Sequence, residues 1–363
     1  MKKIGILTFH RAYNFGAVLQ TFAVQQAVRS ISDDADACVI DYRCNRIESW
    51  FHSKSIKSKL KNVYRFCLHH NYYVELKKKE KLFNAFTERY YMLSPKCMSW
   101  KDFHNDYDAI VVGSDQVWNL DMTQNDVNYF LPYETGARKL TYAASFGKSA
   151  FSDEQKRIVQ KYVSSFDSVL IREEAGIRFA ESLGIAGQKV VDPTLLVSGD
   201  HWRTLCEPCN IRKPYILLYI VAKETYSVSL AKKIAEKEGW DVIYLDPPRF
   251  DFEGITRMKD AGPGQFLWLI QNAKLVVTTS YHGLIFSLNL NTPFLYELAH
   301  VEGNTNSRLE EVVDTYGLQN YAIQSDSTEL YQNASYDWEK LNRIVEENRN
   351  ASMEILKRTI EEE

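Results

Sequence analysis

The chain has 363 residues, of which 45% are hydrophobic and 25% charged, and its formal net charge is −3. These values are ordinary for a globular protein, and the length allows about two domains of roughly 100–200 residues each. The small negative charge excludes wholesale binding to nucleic acid, which needs strongly basic surfaces.

The amino-terminal stretch shows no secretory signal pattern. Its apolar run, residues 4–7, is too short and is closed by His10 and Arg11. No apolar run approaches the ~20 residues of a membrane span. We therefore expect a cytoplasmic protein with reduced thiols. Cys206 and Cys209 form a single CxxC pair, short of the about four ligands of a structural zinc site, so no metal is expected.

The first half of the chain alternates predicted strands and helices. Apolar, β-branched runs predict buried parallel strands at residues 4–7, 38–42, 109–113, 140–144 and 168–171. Helices are predicted at residues 17–30 and 172–183.

One segment interrupts this alternation. Residues 53–81 hold nine Lys and Arg against two acidic residues, with aromatic residues between them. A basic helical insertion at about 53–92 with a solvated face is one interpretation. The other is a patch that docks on an anionic surface, either peripherally on the inner face of a membrane or on a polyanionic substrate. Nucleic acid is a third interpretation of this segment.

The second half repeats the alternation. Strands are predicted at residues 215–220, 241–245, 275–278 and 292–295, and helices at 227–237, 263–272 and from 284 onward. A polar helix with an apolar stripe is predicted from residue 338. This pattern indicates an α/β protein of two Rossmann-like, doubly wound domains. We place them at residues 1–198 and 199–335, followed by a C-terminal helix at 336–363.

Polar loops follow the predicted strands of the first half, where open α/β sheets bind ligands. After the first strand, Asn14 can cap the next helix and Gly16 allows backbone to approach a ligand. The loop lacks a GxGxxG pattern, which argues against a dinucleotide site. Ligand contact and a purely structural turn are the two interpretations of this loop.

Residues 113–119 follow another predicted strand and combine hydroxyl, carboxylate, amide and indole groups. This mixture is typical of a saccharide site, where polar groups flank an aromatic face; a capped helix start is the alternative. The candidate residues are Ser114, Asp115, Trp118 and Asn119. Ser145 precedes Phe-Gly-Lys-Ser but lacks the first glycine of a P-loop, so a P-loop ATPase is excluded and an anion contact remains.

Three further side chains are candidates. Arg172 opens a predicted helix, where a cation opposes the dipole, so it either binds a carboxylate or phosphate or forms an ion pair at the helix start. Asn304 and Arg308 follow the last predicted strand and either line the acceptor side of a site or are solvated.

The strongest candidate is the turn between the strand at 275–278 and the following helix. A strand that turns into a helix presents backbone N–H groups and a positive dipole end, which favour an anion. Ser280, Tyr281 and Gly283 lie at this turn, and His282 can transfer a proton near neutral pH. The alternative for His282 is a capping or core histidine.

In this order, these segments resemble the polysaccharide pyruvyl transferase family. The matching stretches are residues 5–9, 14–17, 112–119, 142–147, 172–174, 192–196 and 280–283. The resemblance implies a GT-B-like fold in which two Rossmann-like domains face a cleft. It also implies that pyruvate passes from phosphoenolpyruvate to a sugar of a cell-surface polysaccharide or exopolysaccharide as a ketal, with His282 as the catalytic residue.

The resemblance also assigns the remaining candidates. Phosphoenolpyruvate is a co-substrate, no other cofactor is expected, and the acceptor is a sugar or lipid-linked saccharide. The residues expected at the anionic donor are Arg172, Ser145, Ser280, Tyr281 and Gly283. Those expected at the acceptor or in the cleft are Asn14, Gly16, Ser114, Asp115, Trp118, Asn119, Asn304 and Arg308. Two motifs depart from the family: Ser280-Tyr281 stands where many members carry Arg-Leu, and Ala17 where many carry Asp.

Three alternative functions stay open. A GT-B-type glycosyltransferase binds a nucleotide sugar and ignores phosphoenolpyruvate. A polysaccharide-modifying transferase with another donor accounts for the missing arginine at Ser280. A non-catalytic saccharide-binding protein keeps its ligand when His282 is replaced.

Overall fold

The computed structural model describes residues 2–31, 35–44, 47, 70–99, 107–148, 150–222, 224–245, 252–298 and 307–362. Asn304 and residues 53–69 of the predicted basic insertion lie outside the described residues. The chain divides into two units, Met1–Val197 with Asn348–Glu363, and Ser198–Glu347.

A parallel sheet forms the centre of the first unit. Its strands are β1 (Lys2–Leu7), β2 (Ala35–Val39), β3 (Ala109–Val112) and β4 (Arg138–Thr141), in the order β2-β1-β3-β4. Two short parallel strands, β5 (Leu170–Ile171) and β6 (Gln188–Lys189), extend it. The bridges that join them to the sheet run from Leu140 to Ser168 and from Ala144 to Ile171.

Both faces of this sheet are covered, because alternate strand residues enter two separate clusters. Ile4 and Val111 belong to one cluster, and Leu7 and Val112 belong to the other. Parallel sheets need such cover on both faces. The described helices of this unit are α1 (Phe15–Ile31), α2 (His70–Tyr90), α3 (Leu120–Thr123), α4 (Asp153–Val163) and α5 (Glu174–Ser182).

The described part of the basic insertion is helix α2, which packs on α1. Phe83 and Phe86 are buried, and their ring centroids lie 5.2 Å from Phe15 and 6.1 Å from Phe22. The helix carries five basic and three acidic residues. Its excess of positive charge is therefore small, and its aromatic face is committed to the core of the unit.

The second unit is built on a five-stranded parallel sheet of order β11-β10-β7-β8-β9. The strands are β7 (Tyr215–Tyr219), β8 (Asp241–Leu245), β9 (Thr256–Met258), β10 (Leu275–Thr278) and β11 (Phe294–Tyr296). Its helices among the described residues are α6 (Gly199–Thr204), α7 (Ser227–Glu238), α8 (Pro263–Asn272), α9 (Tyr281–Leu290), α10 (Ser307–Tyr316) and α11 (Glu329–Asn333). β7 and β10 are buried along their whole length, as central strands should be.

The last helix, α12 (Trp338–Glu361), ends at the amino edge of the first sheet. Leu356 and Ile360 enter the same cluster as Ile4. The Lys2 ammonium donates to the carbonyl of Ile360 at 3.2 Å, and the Arg138 guanidinium donates to that of Glu362. Cations at these carbonyls complement the negative end of the helix dipole.

The strand–helix alternation predicted for both halves is confirmed, with parallel pairing throughout the described sheets. Within the described ranges, no helix combines the length and the apolar character that crossing a membrane requires.

Candidate active site

The turn between β10 and α9 is fixed by hydroxyl groups. The Thr278 hydroxyl donates to the Tyr219 carbonyl at 2.7 Å and accepts the Ser280 N–H at 2.9 Å. The Ser280 side chain then caps α9 by accepting from the Gly283 N–H at 3.4 Å. A helix therefore begins directly at the carboxyl end of a central strand, with a neutral side chain as its cap.

Gly283 allows the first turn of α9 to pack directly on β10 and β7. A Cβ atom at this position lies 2.3 Å from Thr278 Oγ1 and 3.0 Å from Tyr219 Cδ1. Such distances leave no room for any side chain, so glycine is required for close approach. Gly283 thus places the helix start against the strands.

His282 is the second residue of α9 and is half-buried. The Tyr281 ring stands perpendicular to the His282 ring, with centroids 5.1 Å apart. Arg308, in the first turn of α10, lies over the Tyr281 ring, and its Cζ is 5.9 Å from the ring centroid. Three of the predicted site residues are thus together at the helix start, where backbone N–H groups favour an anion.

Two polar side chains that sequence reasoning missed hold the neighbouring loop in place. Thr279 Oγ1 accepts from the N–H groups of Val221 and Ala222 at 3.0 and 3.2 Å. The buried Glu297 carboxylate, just after β11, accepts from the start of α7: from the N–H groups of Thr225, Tyr226 and Ser227 and from the Ser227 hydroxyl, at 2.6–3.1 Å. The carboxyl ends of β7, β10 and β11 therefore form one fixed edge.

A second carboxylate, that of Glu224, lies on the loop between β7 and α7. Burial raises the pKa of Glu224, the nearby Glu297 carboxylate raises it further, and a hydrogen bond from the Val228 backbone partly offsets both. Glu224 thus holds a proton more readily than an exposed glutamate does.

In the first unit, His10, Asp41 and Arg43 form a cluster at the carboxyl ends of β1 and β2. His10 Nε2 is 3.0 Å from Asp41 Oδ1, and Arg43 donates to both Asp41 oxygens at 3.2 and 2.8 Å. Burial alone raises the pKa of Asp41, but the hydrogen bonds from His10 and Arg43 outweigh it and lower the pKa to about 2. Sequence reasoning missed His10 because its partner is 31 positions away.

Arg172 is placed inside the first unit rather than at an open anion site. Its side chain is 3% exposed, and Nη1 lies 3.0 Å from Asp192 Oδ2, while Nε lies 3.6 Å from Glu173 Oε2. Asp192 also accepts from Gln20 at 2.5 Å and from the Thr194 N–H at 3.0 Å. Of the two interpretations, the structure supports the ion pair, because carboxylates of the chain already neutralise the guanidinium.

Ser145 is likewise an internal residue. It is fully buried, and its hydroxyl donates to Glu173 Oε1 at 2.7 Å and accepts the Gly147 N–H at 3.1 Å. Its predicted contact with a donor anion is therefore corrected: Ser145 binds a carboxylate of the chain itself.

The segment after β3 is divided between the core and the surface. Trp118 is 1% exposed, its Nε1 donates to the Tyr129 carbonyl at 3.1 Å, and its ring stacks on Phe130 at 5.8 Å. Its predicted role as an aromatic face for sugar is wrong, because no face is exposed. Ser114 is also fully buried, and its carbonyl accepts from Thr8 at 2.8 Å.

Asp115 and Asn119 remain half-exposed. Asn119 caps α3 by accepting from the Met122 N–H at 3.2 Å and donates to Gln116 at 2.9 Å. Asn14 is exposed and caps α1 by accepting from the Ala17 N–H at 3.1 Å, as predicted. Gly16 is buried within α1, so its backbone is not at an open surface.

The cysteines in the described part of the chain are free thiols. Burial raises the pKa of Cys206 and of Cys209 to about 11, so neither is poised as a nucleophile. Across the described ranges, no three His, Cys, Asp or Glu side chains are grouped so that they could hold a metal ion.

Comparison with solved structures identifies the fold. A putative UDP-N-acetylglucosamine 2-epimerase from Listeria monocytogenes is 9% identical, with coverage of 100% of this chain and 97% of that chain and a TM-score of 0.57. MnaA of S. aureus, in a co-structure with UDP, is 13% identical with coverage of 99% and 96% and a TM-score of 0.51. The UDP-GlcNAc 2-epimerase of Neisseria meningitidis, bound to UDP-GlcNAc, is 9% identical with coverage of 99% of both chains and a TM-score of 0.51. At such identities the likeness shows the fold alone, a GT-B-like α/β architecture, as predicted.

Sequence comparison identifies the family. A search of curated protein sequences found no significant match. The family model described as polysaccharide pyruvyl transferase matches residues 14–296, which include Asp115, Arg172 and the His282 turn. The chain belongs to the polysaccharide pyruvyl transferase family.

Proposed function

We propose that this protein transfers pyruvate from phosphoenolpyruvate to two hydroxyls of a saccharide, closing a ketal. Family membership supports a transferase of this class. The observation that carries the proposal is the β10–α9 turn, where His282 is the second residue of a helix that begins at a sheet's carboxyl edge. This turn combines donors for an anion with a group that moves protons.

The donor's charge suits this turn. Phosphoenolpyruvate carries a carboxylate and a phosphate, so its binding site must offer N–H donors or cations. The first turn of α9 contains no acidic residue, and its cap is the neutral Ser280. Backbone N–H groups at the helix start and the dipole therefore meet the anion without a competing carboxylate from that turn.

The proposed chemistry needs one group that both gives and takes a proton. His282 protonates the methylene carbon of phosphoenolpyruvate, which makes its central carbon electrophilic. One sugar hydroxyl adds to that carbon, and its proton returns to His282. The C–O bond to phosphate then breaks, the second hydroxyl adds, and its proton leaves with the phosphate. The products are the ketal and inorganic phosphate.

The acceptor is proposed to be a sugar or lipid-linked saccharide of a cell-surface polysaccharide or exopolysaccharide. The polar side chains Asn14, Asp115 and Asn119 remain at least partly exposed at the carboxyl edge of the first unit's sheet. Amide and carboxylate groups of this kind can bind sugar hydroxyls. Asn14 and Asn119 are already oriented by the helices that they cap.

The test is release of inorganic phosphate by the purified chain, with phosphoenolpyruvate and a panel of saccharides, against a panel of nucleotide sugars. His282→Asn should lower kcat by about 10²–10⁴-fold. The matched control is His201→Asn, an exposed histidine on α6, with kcat within about twofold of wild type. Consumption of a nucleotide sugar with phosphoenolpyruvate untouched makes the protein a glycosyltransferase. Saccharide binding without turnover makes it a binding protein.

A further inference from the structure

We propose that Arg308 is a specificity-determining residue that holds the carboxylate of the donor beside His282. The inference rests on the proposed function and extends it, because it assigns one anionic group of phosphoenolpyruvate to one side chain. It stands on the grouping of Arg308, Tyr281 and His282 at the edge of the second unit's sheet.

The Tyr281 ring lies close to both the cation and the imidazole. The Arg308 Cζ is 5.9 Å from the centroid of that ring, and the His282 ring stands perpendicular to it at 5.1 Å. All three residues are partly buried. A guanidinium held over an aromatic face is attracted by the ring quadrupole, which restricts where the charge can lie.

Two other helix starts at this edge, those of α7 and α8, contact glutamates. At α7, the Glu297 carboxylate binds the backbone N–H groups of Thr225, Tyr226 and Ser227. At α8, Glu207 accepts from the Gln265 side chain at 2.7 Å, and its Cγ lies 2.6 Å from where a Cβ on Gly264 would be. These carboxylates repel an incoming anion. The start of α9 instead lies beside the Arg308 cation. An anionic ligand is therefore attracted to the start of α9 rather than to the starts of α7 and α8.

The local sequence of α9 does not supply this charge. Ser280 is neutral, and its hydroxyl caps the helix by accepting from the Gly283 N–H. Tyr281 and Gly283 carry no charge. Arg308 reaches the same turn from α10, 28 positions after Ser280 in the chain. A cation contributed by a neighbouring helix thus takes the place of one on the turn itself.

The carboxylate is the donor group that suits Arg308. Its two oxygens match the planar fork of a guanidinium. The carboxylate also persists from phosphoenolpyruvate to the ketal, whereas the phosphate departs. A contact that is equal in the ground state and the transition state changes KM and leaves kcat unchanged. Replacement of Arg308 is therefore expected to change KM, whereas replacement of His282 is expected to change kcat.

The experiment measures phosphoenolpyruvate binding by titration calorimetry and its KM by phosphate release. Arg308→Gln should weaken binding and raise KM by about 10–100-fold with kcat within about threefold, and Arg308→Lys should fall between it and wild type. Tyr281→Leu should raise KM by about 3–10-fold, and Tyr281→Phe, which keeps the ring, by less. Arg212→Gln, an exposed arginine before β7, is the matched control with unchanged KM.

Inorganic phosphate is the second probe. Its affinity should be the same for wild type and Arg308→Gln, because it lacks the carboxylate; an equal loss for both ligands overturns the carboxylate assignment. If Arg308→Gln binds phosphoenolpyruvate as wild type does, the inference fails while the proposed function stands. If the wild-type chain binds no phosphoenolpyruvate, both fail. Circular dichroism and the urea midpoint of each variant exclude misfolding as the cause.

Discussion

Replacement of Arg172 by methionine tests whether this arginine is a structural ion-pair partner. Its buried guanidinium lies 3.0 Å from Asp192 and 3.6 Å from Glu173, and its side chain is 3% exposed. Removal of one member of a buried ion pair leaves an uncompensated charge and costs about 3–5 kcal/mol. Against a typical unfolding free energy of about 5–15 kcal/mol, this is a large fraction of the total. Methionine keeps most of the side-chain volume, so the loss reports the charge.

The assay is urea unfolding followed by tryptophan fluorescence and far-UV circular dichroism. Comparison requires equal m-values for the variant and wild type, so that the midpoints report stability. Arg178→Met is the matched control: this arginine lies 3.6 Å from Glu174 on the surface of α5, with 66% and 49% of the two side chains exposed. Its loss should be about 0–1 kcal/mol.

The double variant Arg172→Met with Asp192→Asn separates charge from packing. Since it removes one carboxylate together with the cation, it should lose less than the sum of the two single variants. An Arg172→Met protein within about 1 kcal/mol of wild type refutes the buried ion pair as a stabilising contact. If that variant is stable but binds phosphoenolpyruvate poorly, the anion-binding interpretation of Arg172 is correct.

Three further predictions follow from single contacts. Glu297→Gln should lower the unfolding free energy by roughly 2–3 kcal/mol, since the start of α7 loses its charged acceptor; exposed Glu310→Gln is the control in urea unfolding, and equal losses contradict the assignment. Gly283→Ala should cost about 1–3 kcal/mol by crowding Thr278, whereas Gly136→Ala, where a Cβ meets no atom within 4 Å, should be neutral in the same assay. The folded pKa of Asp41, about 2, lies below its ordinary 3.8. Asp41 therefore contributes stability that is present above about pH 4 and lost as the pH falls toward 2, roughly 2 kcal/mol in all. Urea midpoints measured between pH 2 and 5 should show a shallower decline for Asp41→Asn, and an unchanged slope contradicts this.

Local patterns in the sequence were sufficient for the central strands and for the β10–α9 turn. β7 and β10 are continuous apolar runs, the sequence pattern typical of strands that are buried on both faces. The turn was visible because its hydroxyls, histidine and glycine are contiguous. β9 and α10 were not predicted. β9 has three residues, of which only Met258 is apolar. α10 was overlooked although Asn306, Ser307 and Glu310 are residue types typical of a helix start.

The site residues that were misassigned depend on contacts between distant parts of the chain. Trp118 stands beside polar residues in the sequence, but Phe130 and Phe146 enclose it in the fold. Arg172 finds Asp192 20 positions away, and Glu297 finds Ser227 at a separation of 70. No local pattern contains such partners, so burial and pairing at these residues required the three-dimensional structure.

The central claim is that phosphoenolpyruvate is the donor and that the β10–α9 turn acts on it. The most direct test uses phosphoenolpyruvate labelled with carbon-13 in its three-carbon skeleton, a saccharide acceptor and the wild-type chain, with His282→Asn in parallel. We predict that the acceptor gains the mass of pyruvate less one water and shows a labelled ketal carbon bonded to a methyl group, with one phosphate released per ketal. His282→Asn should form this product at least about a hundredfold more slowly. Unlabelled acceptor after complete incubation, or equal rates for the two proteins, contradicts the account.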